Sequence, residues 1–325
     1  MGLSWNKMQS NYNSRYYNHR DYVRGLNNYG VTCCINALLQ SFSATPELLE
    51  LLDKYNPAQT EPNDVPMELK NTLCAMRKEQ KHHSPHRNFL DCLHRHSIHR
   101  YIQHDADEIF HSILNLTQKQ MTDKDLAEEI RKLYEIKVET QVMCKECGHI
   151  QKTPNSLYSL PLAIREGDNT LESCVQSYIQ QQPLRSGNEC YCDWCMKKQP
   201  TTHQLKLVSL PSVLCIHLKR FRNYGTTRKL HNRVTFPETL HMNTFNGQSE
   251  NAKEYYSLYA VIVHIGSAFS GHYTAYIRHS LDQKWFYADD SNVQQATWEH
   301  VQETYKGGKT AYLLLYRKMS ENASG

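Results

Sequence analysis

The sequence predicts an α+β fold in which helices come first and a sheet follows. Apolar residues recur at helical spacing through the first 135 residues or so, and strand-length apolar or alternating stretches dominate after that. The two patterns do not interleave, which argues against the alternating βαβ order of a doubly wound parallel sheet.

Each element has its own signal. Ile35, Leu38, Leu39 and Phe42 stand at i, i+3, i+4 and i+7, so 35–55 reads as helix, with Pro46 opening a second piece. Residues 56–66 are a loop rich in Pro and Asn. Residues 67–79 and 88–96 read as helices separated by "HHSPH". A further helix covers 103–120, with Ile109, Phe110 and Ile113 on one face. "YEIKVETQVMC" then alternates like a strand, and "LKLVSLPSVLCIHLKRF", "YYSLYAVIVHI", "GHYTAYIRHS", "KWFYADD" and "TAYLLLYRKM" also read as strands.

Composition narrows the function. The chain has 325 residues, 39% hydrophobic and 22% charged, with a formal charge of +4. This is a folded protein without the basic block of a nucleic-acid binder. No apolar run approaches the ~18 residues of a membrane helix. The start has no apolar secretory core, and Asn6 stands where a myristoylation signal needs Ser or Thr. Residues 1–24, rich in Tyr, Asn and Arg, are expected to form a flexible or partner-ordered arm, and 319–325 a flexible tail. The eleven cysteines, with no secretory signal, point to a reducing compartment. A cytoplasmic monomer, with a nuclear fraction open, is the expectation.

Two cysteine pairs, Cys144/Cys147 in "CKEC" and Cys192/Cys195 in "CDWC", have the C-x-x-C spacing of metal knuckles. Two such knuckles supply the four tetrahedral sulfurs of a structural Zn²⁺. Gly148 suits the turn after the first, and Cys190 is a spare ligand. Unrelated core thiols or a redox pair are the alternatives.

"GLNNYGVTCCINALLQ" sets Cys33 at a helix start, where the dipole and free N–H groups lower a thiol's pKa and hold an oxyanion. That favours Cys33 over Cys34, one residue further in. Asn28 or Asn27 is placed to donate an amide N–H to the oxyanion. By itself a cysteine before a helix is more often a packed core thiol.

A nucleophile needs a base. Among 18 histidines, the group between Lys81 and Arg100 reads as solvated helix surface. His272 differs, because "SGHYTAYIRHSLDQKWFYADDSN" reads as a hairpin. A two-residue turn at Ser280–Leu281 sets His279 opposite Asp282 and His272 opposite Asp289. A four-residue turn shifts the facing residue by two and keeps the same face. Either register places a carboxylate beside His272, with Asp290 as a second one, as a Cys-His-Asp arrangement requires. Gly271 argues for a close approach at this point.

These motifs resemble the ubiquitin-specific protease family of papain-like cysteine isopeptidases. "GLNNYGVTCCINALLQ" is similar to its cysteine box, "QHDADEIF" to its second box and "LPSVLCIHLKRF" to the strand leading to its substrate channel. "SGHYTAYIR", "WFYADDS" and "TAYLLLYRK" are similar to its histidine box and last strand, and the two C-x-x-C pairs to its finger zinc. The resemblance implies a hand-shaped fold with a helical thumb (about 25–135), zinc-bearing fingers (about 136–205) and a β-sheet palm (about 206–318), together one catalytic domain over 25–318. It implies Cys33 as nucleophile, His272 as base, Asp289 as its orienting carboxylate with Asp290 as helper, and Asn28 at the oxyanion. Arg222–Lys229 and Gly266–Ser270 would flank the substrate tail. Cys34, Ala37 and Tyr29 depart from the aromatic, Ser and Leu common in the family, and none of them removes a catalytic group.

Within the family, "TCC", "QHDA", "LYEIKVE" and the closing segment look most like members that remove the interferon-induced tandem ubiquitin-like modifier. The partners so implied are that modifier and its conjugates, and components of interferon-receptor signalling. A general deubiquitinase, or a scaffold damping that signalling without catalysis, are the competing expectations.

Overall fold

The computed structural model describes residues 23–57, 64–77, 84–183, 189–224, 226–241, 243–246, 254–268, 270–280 and 282–320. The expected N-terminal arm up to residue 22 and the tail from 321 lie outside them. The chain divides into two compact units. One holds the chain up to Ala127 with Tyr273–Thr297, the other Glu128–His272 with Trp298 onward.

The first unit is built on helices α1 (Cys33–Ser43), α2 (Pro46–Lys54), α3 (Val65–Met76), α4 (Arg87–Arg95) and α5 (Ala106–Gln120). α1 is buried over Cys33–Phe42, so it is a central helix without a solvent face. Its Phe42 ring stacks on Phe110 of α5 at 5.7 Å. The ends obey capping chemistry. Asp64 accepts from Met67 N at 3.0 Å ahead of α3. Asp105 of the "QHDADEIF" motif accepts from Asp107 N and Glu108 N ahead of α5. The sequence-predicted helix over 103–120 therefore starts three residues later, after its cap.

Strands follow the helices. β1 (Ile136–Cys144) and β2 (Ile150–Leu157) form an antiparallel hairpin. β3 is Leu160–Ala163, helix α6 is Leu171–Ile179, β4 is Thr201–Ser209 and β5 is Val213–Lys219. β6 is Glu254–Gly266, β7 Gly271–Arg278, β8 Trp285–Asp289, β9 Asn292–Ala296 and β10 Lys309–Ser320. Lys124–Tyr134 adds a helix between α5 and β1.

Two expectations are corrected. "LKLVSLPSVLCIHLKRF" is two strands rather than one: β4 and β5 part at Leu210–Ser212, where Pro211 has no N–H to donate. α6 appears where no helix was read, started by a capping box in which Thr170 and Ser173 bond each other's backbone N–H.

In the second unit, β2, β1 and β4 make one antiparallel sheet. β6, β10, β5 and β3 make another, with β5 and β3 parallel. Its core is Leu214–Ile216, Val261–Val263 and Leu313–Leu315, all at most 0% exposed. At roughly 1.5–3 kcal/mol for each fully buried large aliphatic, these three runs drive its assembly. Two buried cations brace the connecting segments. Arg220 donates to the carbonyls of Ala311, Leu230 and Asn232. Lys229 Nζ donates to those of His264, Gly266 and Gly308 at 3.0, 2.9 and 3.2 Å. Both ends of the Arg222–Lys229 segment are thereby fixed.

Candidate active site and cysteine cluster

β7 and β8 pair Ala275 with Ala288 and Arg278 with Trp285, which makes the connecting turn four residues long. His279 N closes it on Lys284 O, and His279 Nδ1 meets Asp282 inside it at 2.8 Å. Of the two turn lengths the sequence allowed, the four-residue one is therefore realised. β8 and β9 pair down to Asp289 with Asn292, so Asp290 and Ser291 are a two-residue turn. Asp290 takes the left-handed conformation, φ 47°, that such turns require and Asp tolerates. Asp289 and Asp290 stand at this turn in the first unit, and His272 is the last residue of the second unit before the chain enters the first. All three residues are half-buried.

Glycine at 271 has a steric cause. A Cβ there would stand 2.1 Å from His264 Nε2 and 2.9 Å from the Ile265 carbonyl oxygen, so both an imidazole and a backbone approach closely. His264 is 1% exposed, with the Phe221 ring edge-on at 5.2 Å. Burial drives its pKa down to about 3, helped by Lys229, His231 and His272. It stays neutral beside the hairpin.

The loop before α1 is stitched to the Asp290 turn. Leu26 N donates to Asp290 O at 2.8 Å. Gly25 lies so close to Ser291 that a Cβ would meet its carbonyl oxygen at 2.2 Å. Asn28, exposed, donates from Nδ2 to Asp290 Oδ2 at 2.9 Å. Its Oδ1 accepts from Thr32 N and Thr32 Oγ1 at 3.0 and 3.2 Å. Asn28 thus holds Thr32, the residue just ahead of the helix that Cys33 begins. One end of its amide is fixed by the helix start and the other by a carboxylate, and a second N–H is left facing away from Asp290. Asn27 takes a different part: its carbonyl oxygen receives buried His86 Nε2 at 3.0 Å.

Cys33 and Cys34 separate clearly. Cys33 is the first residue of α1. Cys34 is wholly enclosed, and burial, with Cys33 and Asp105 nearby, pushes its thiol well above the ordinary range. It stays protonated at neutral pH and is core. Ala37 is buried on the same helix, and Tyr29 packs on the His86 ring at 5.6 Å, so the three departures from the family pattern are absorbed by packing.

The other cluster lies at one end of the β1–β2–β4 sheet. β1 ends at Cys144 and pairs there with Thr201, so the segment preceding β4 is delivered to the first knuckle. Each knuckle closes the same way. Gly148 N bonds Cys144 O at 3.0 Å and Met196 N bonds Cys192 O at 2.8 Å, with Gly148 and Met196 both left-handed. Cys144 Sγ lies 3.9 Å from Cys195 Sγ, and Cys147 Sγ 3.6 Å from Cys192 Sγ. Four sulfurs on one tetrahedral Zn²⁺ at ~2.3 Å would be separated by about 3.8 Å. The donor set therefore fits a closed four-thiolate centre. The N–H groups of Cys147 and then Glu146 aimed at Cys144 bring its pKa down to about 7. Cys190, the spare ligand, lies outside the cluster and pairs with Gln199 in a short hairpin.

Cys34 is held protonated, and ahead of Cys33 the Asn28 amide is oriented by its bonds to Thr32 and Asp290. A thiol at a helix start beside an oriented amide is what a cysteine-type hydrolase requires. The chain belongs to the ubiquitin carboxyl-terminal hydrolase family, whose pattern matches residues 24–316. It is 34% identical over 316 residues to the Ubl carboxyl-terminal hydrolase 18 of Homo sapiens, covering 91% of this chain and 85% of that protein. It is 35% identical over 315 residues to the Mus musculus protein of that name, covering 90% and 85%. The fold is shared with a solved SAGA Ubp8/Sgf11/Sus1/Sgf73 DUB module bound to ubiquitin aldehyde. There the TM-score is 0.81 at 24% identity, over 98% of this chain and 74% of that one. The protein is a cysteine-type hydrolase of ubiquitin-like proteins.

Asn36, one turn into α1, was missed by sequence reasoning as a member of this network. The signal was a pair of polar residues, Asn36 and Gln40, on one face of the buried "CCINALLQ" helix.

Proposed function

We propose that the protein is a thiol isopeptidase that releases the interferon-induced tandem ubiquitin-like modifier from its conjugates, cutting after the terminal Gly-Gly, with 25–318 acting as one catalytic domain. Cys33 attacks the glycyl carbonyl carbon, and His272 takes the thiol proton and returns it to the departing lysine amine. Asp289 holds the imidazole in its working tautomer. The tetrahedral oxyanion is received by the free N–H of Asn28, a donor of a kind commonly worth ~10²–10³ in rate. Asp290 fixes that amide. Water then attacks the thioester with His272 as base, releasing the modifier's carboxylate and the thiol. Cys144, Cys147, Cys192 and Cys195 hold a structural Zn²⁺ that closes the fingers and takes no part in the chemistry.

The observation that carries the substrate choice is the 34–35% identity over most of the chain to two mammalian proteins named as Ubl hydrolases. The bound ubiquitin of the Ubp8 module supports ubiquitin itself as the second reading. Reaction with the tandem modifier and with ubiquitin, each carrying a C-terminal propargylamide, separates them. Adduct formation with the tandem modifier at least ten times faster is the expected result. Equal rates, or reaction with ubiquitin alone, would establish the general deubiquitinase instead.

A further inference from the structure

Asn36 has no part in the reaction as written, yet it is the buried centre of the network. It is 2% exposed and lies three residues after Cys33. Its Nδ2 donates to Asp290 Oδ1 at 2.7 Å and to the carbonyls of Leu26 and Asn27 at 3.3 Å each. Two N–H groups serve three acceptors, and the shortest bond is the charge-assisted one to the carboxylate. Asn36 Oδ1 is buried with no hydrogen-bond partner. Flipping the amide would set that oxygen against three acceptors, so the orientation is fixed by chemistry.

For folding alone this is a poor choice. A buried carbonyl without a partner costs about 1–3 kcal/mol, and a leucine of similar size would avoid it. The arrangement makes sense through Asp290, whose two oxygens divide the work: Oδ1 takes Asn36 and Oδ2 takes Asn28. A carboxylate on an exposed-edge turn would otherwise swing about its side-chain torsions. Anchored from below, it presents one fixed oxygen to the Asn28 amide, while the same Asn36 holds the two carbonyls just ahead of Asn28.

We propose that Asn36 is a positioning residue of the hydrolysis, acting through Asp290 and the Leu26–Asn27 backbone to fix the plane of the Asn28 amide for the oxyanion. The inference rests on the isopeptidase reading. The test is steady-state release of aminomethylcoumarin from the tandem modifier's C-terminal amide by the full chain and its variants. Asn36→Leu keeps the size and removes the donor, Asn36→Asp keeps the shape and faces the carboxylate with another, and Asp290→Asn removes one acceptor.

Each should lower kcat about 10–100-fold, the range of a misplaced oxyanion donor, with KM within about two-fold. Alkylation of Cys33 by iodoacetamide, which develops no oxyanion, should stay within a few-fold of wild type. Combined with Asn28→Ala, Asn36→Leu should cost nothing further, because both act on one amide. Losses that multiply in the double variant, alkylation that slows in parallel, or kcat unchanged in Asn36→Leu would overturn the proposal. Should Asn36→Leu fail to fold, Asp290→Asn carries the same cycle from the half-buried turn. A wild-type chain that releases no coumarin, or a Cys33→Ala chain that still does, overturns the isopeptidase reading instead.

Discussion

Two adjacent thiols are divided by a single helical step. Cys33 is the first residue of α1. Cys34 is enclosed and its pKa is driven up by burial. Cys34→Ala should therefore leave kcat/KM within about three-fold and lower stability by roughly 1 kcal/mol for the lost core contacts, read by a thermal melt. Cys33→Ala, equally buried, should cost a similar ~1 kcal/mol of stability and abolish turnover. A Cys34→Ala chain without activity but with a native melt would show the thiols to be miscast. The sequence pointed to Cys33 from its place before an apolar helical run. The fixing of the Asn28 amide was not legible, because it depends on a turn more than 250 positions away that only the fold brings back.

At the scale of elements, the cysteine knuckles show how much spacing alone conveys. C-x-x-C at both positions was enough to name the four cysteines that cluster, and strand pairing of Cys144 with Thr201 explains why they meet. Zinc purified with the protein should amount to about one ion per chain. Cys144→Ser should lose it and melt about 5–10 °C lower, corresponding to ~2–3 kcal/mol. Full metal content in that variant would break the four-thiolate assignment. The His272 hairpin shows the opposite limit. Alternation placed His272 and Asp289 on one face for either turn length, but the choice between two and four turn residues was beyond the pattern, since "HSLDQK" suits both. α6 carried two signals that went unread: Leu171, Cys174, Val175 and Tyr178 at i, i+3, i+4 and i+7, and the Thr170–Ser173 capping box. The β4–β5 break was marked in advance by Pro211.

For the molecule as a whole, the helices-then-sheet order was legible from periodicity, and the buried cluster of basic side chains was not. His264, Lys229 and Arg220 sit within strand-like or basic stretches whose burial no local pattern announces. They set a pH response. The native state resists protonating His264 until about pH 3, whereas the unfolded chain takes that proton near its ordinary value of 6.5. The unfolded state therefore binds more protons between these limits, and stability falls as pH drops from about 6.5 toward 3. At up to ~1.4 kcal/mol per pH unit the effect amounts to a few kcal/mol. Denaturant melts of wild type and His264→Gln from pH 7 to 4 should show the wild type losing stability more steeply. Parallel slopes would mean that His264 titrates normally.

The central claim is that one thiol, Cys33, carries the hydrolysis of a ubiquitin-like modifier. Peptide-resolved mass spectrometry of the adduct formed with the tandem modifier's C-terminal propargylamide tests it most directly. The adduct should map to Cys33 alone, with Cys34 unmodified in the same peptide. An adduct on Cys34, on one of the four clustered cysteines, or on no cysteine would contradict it.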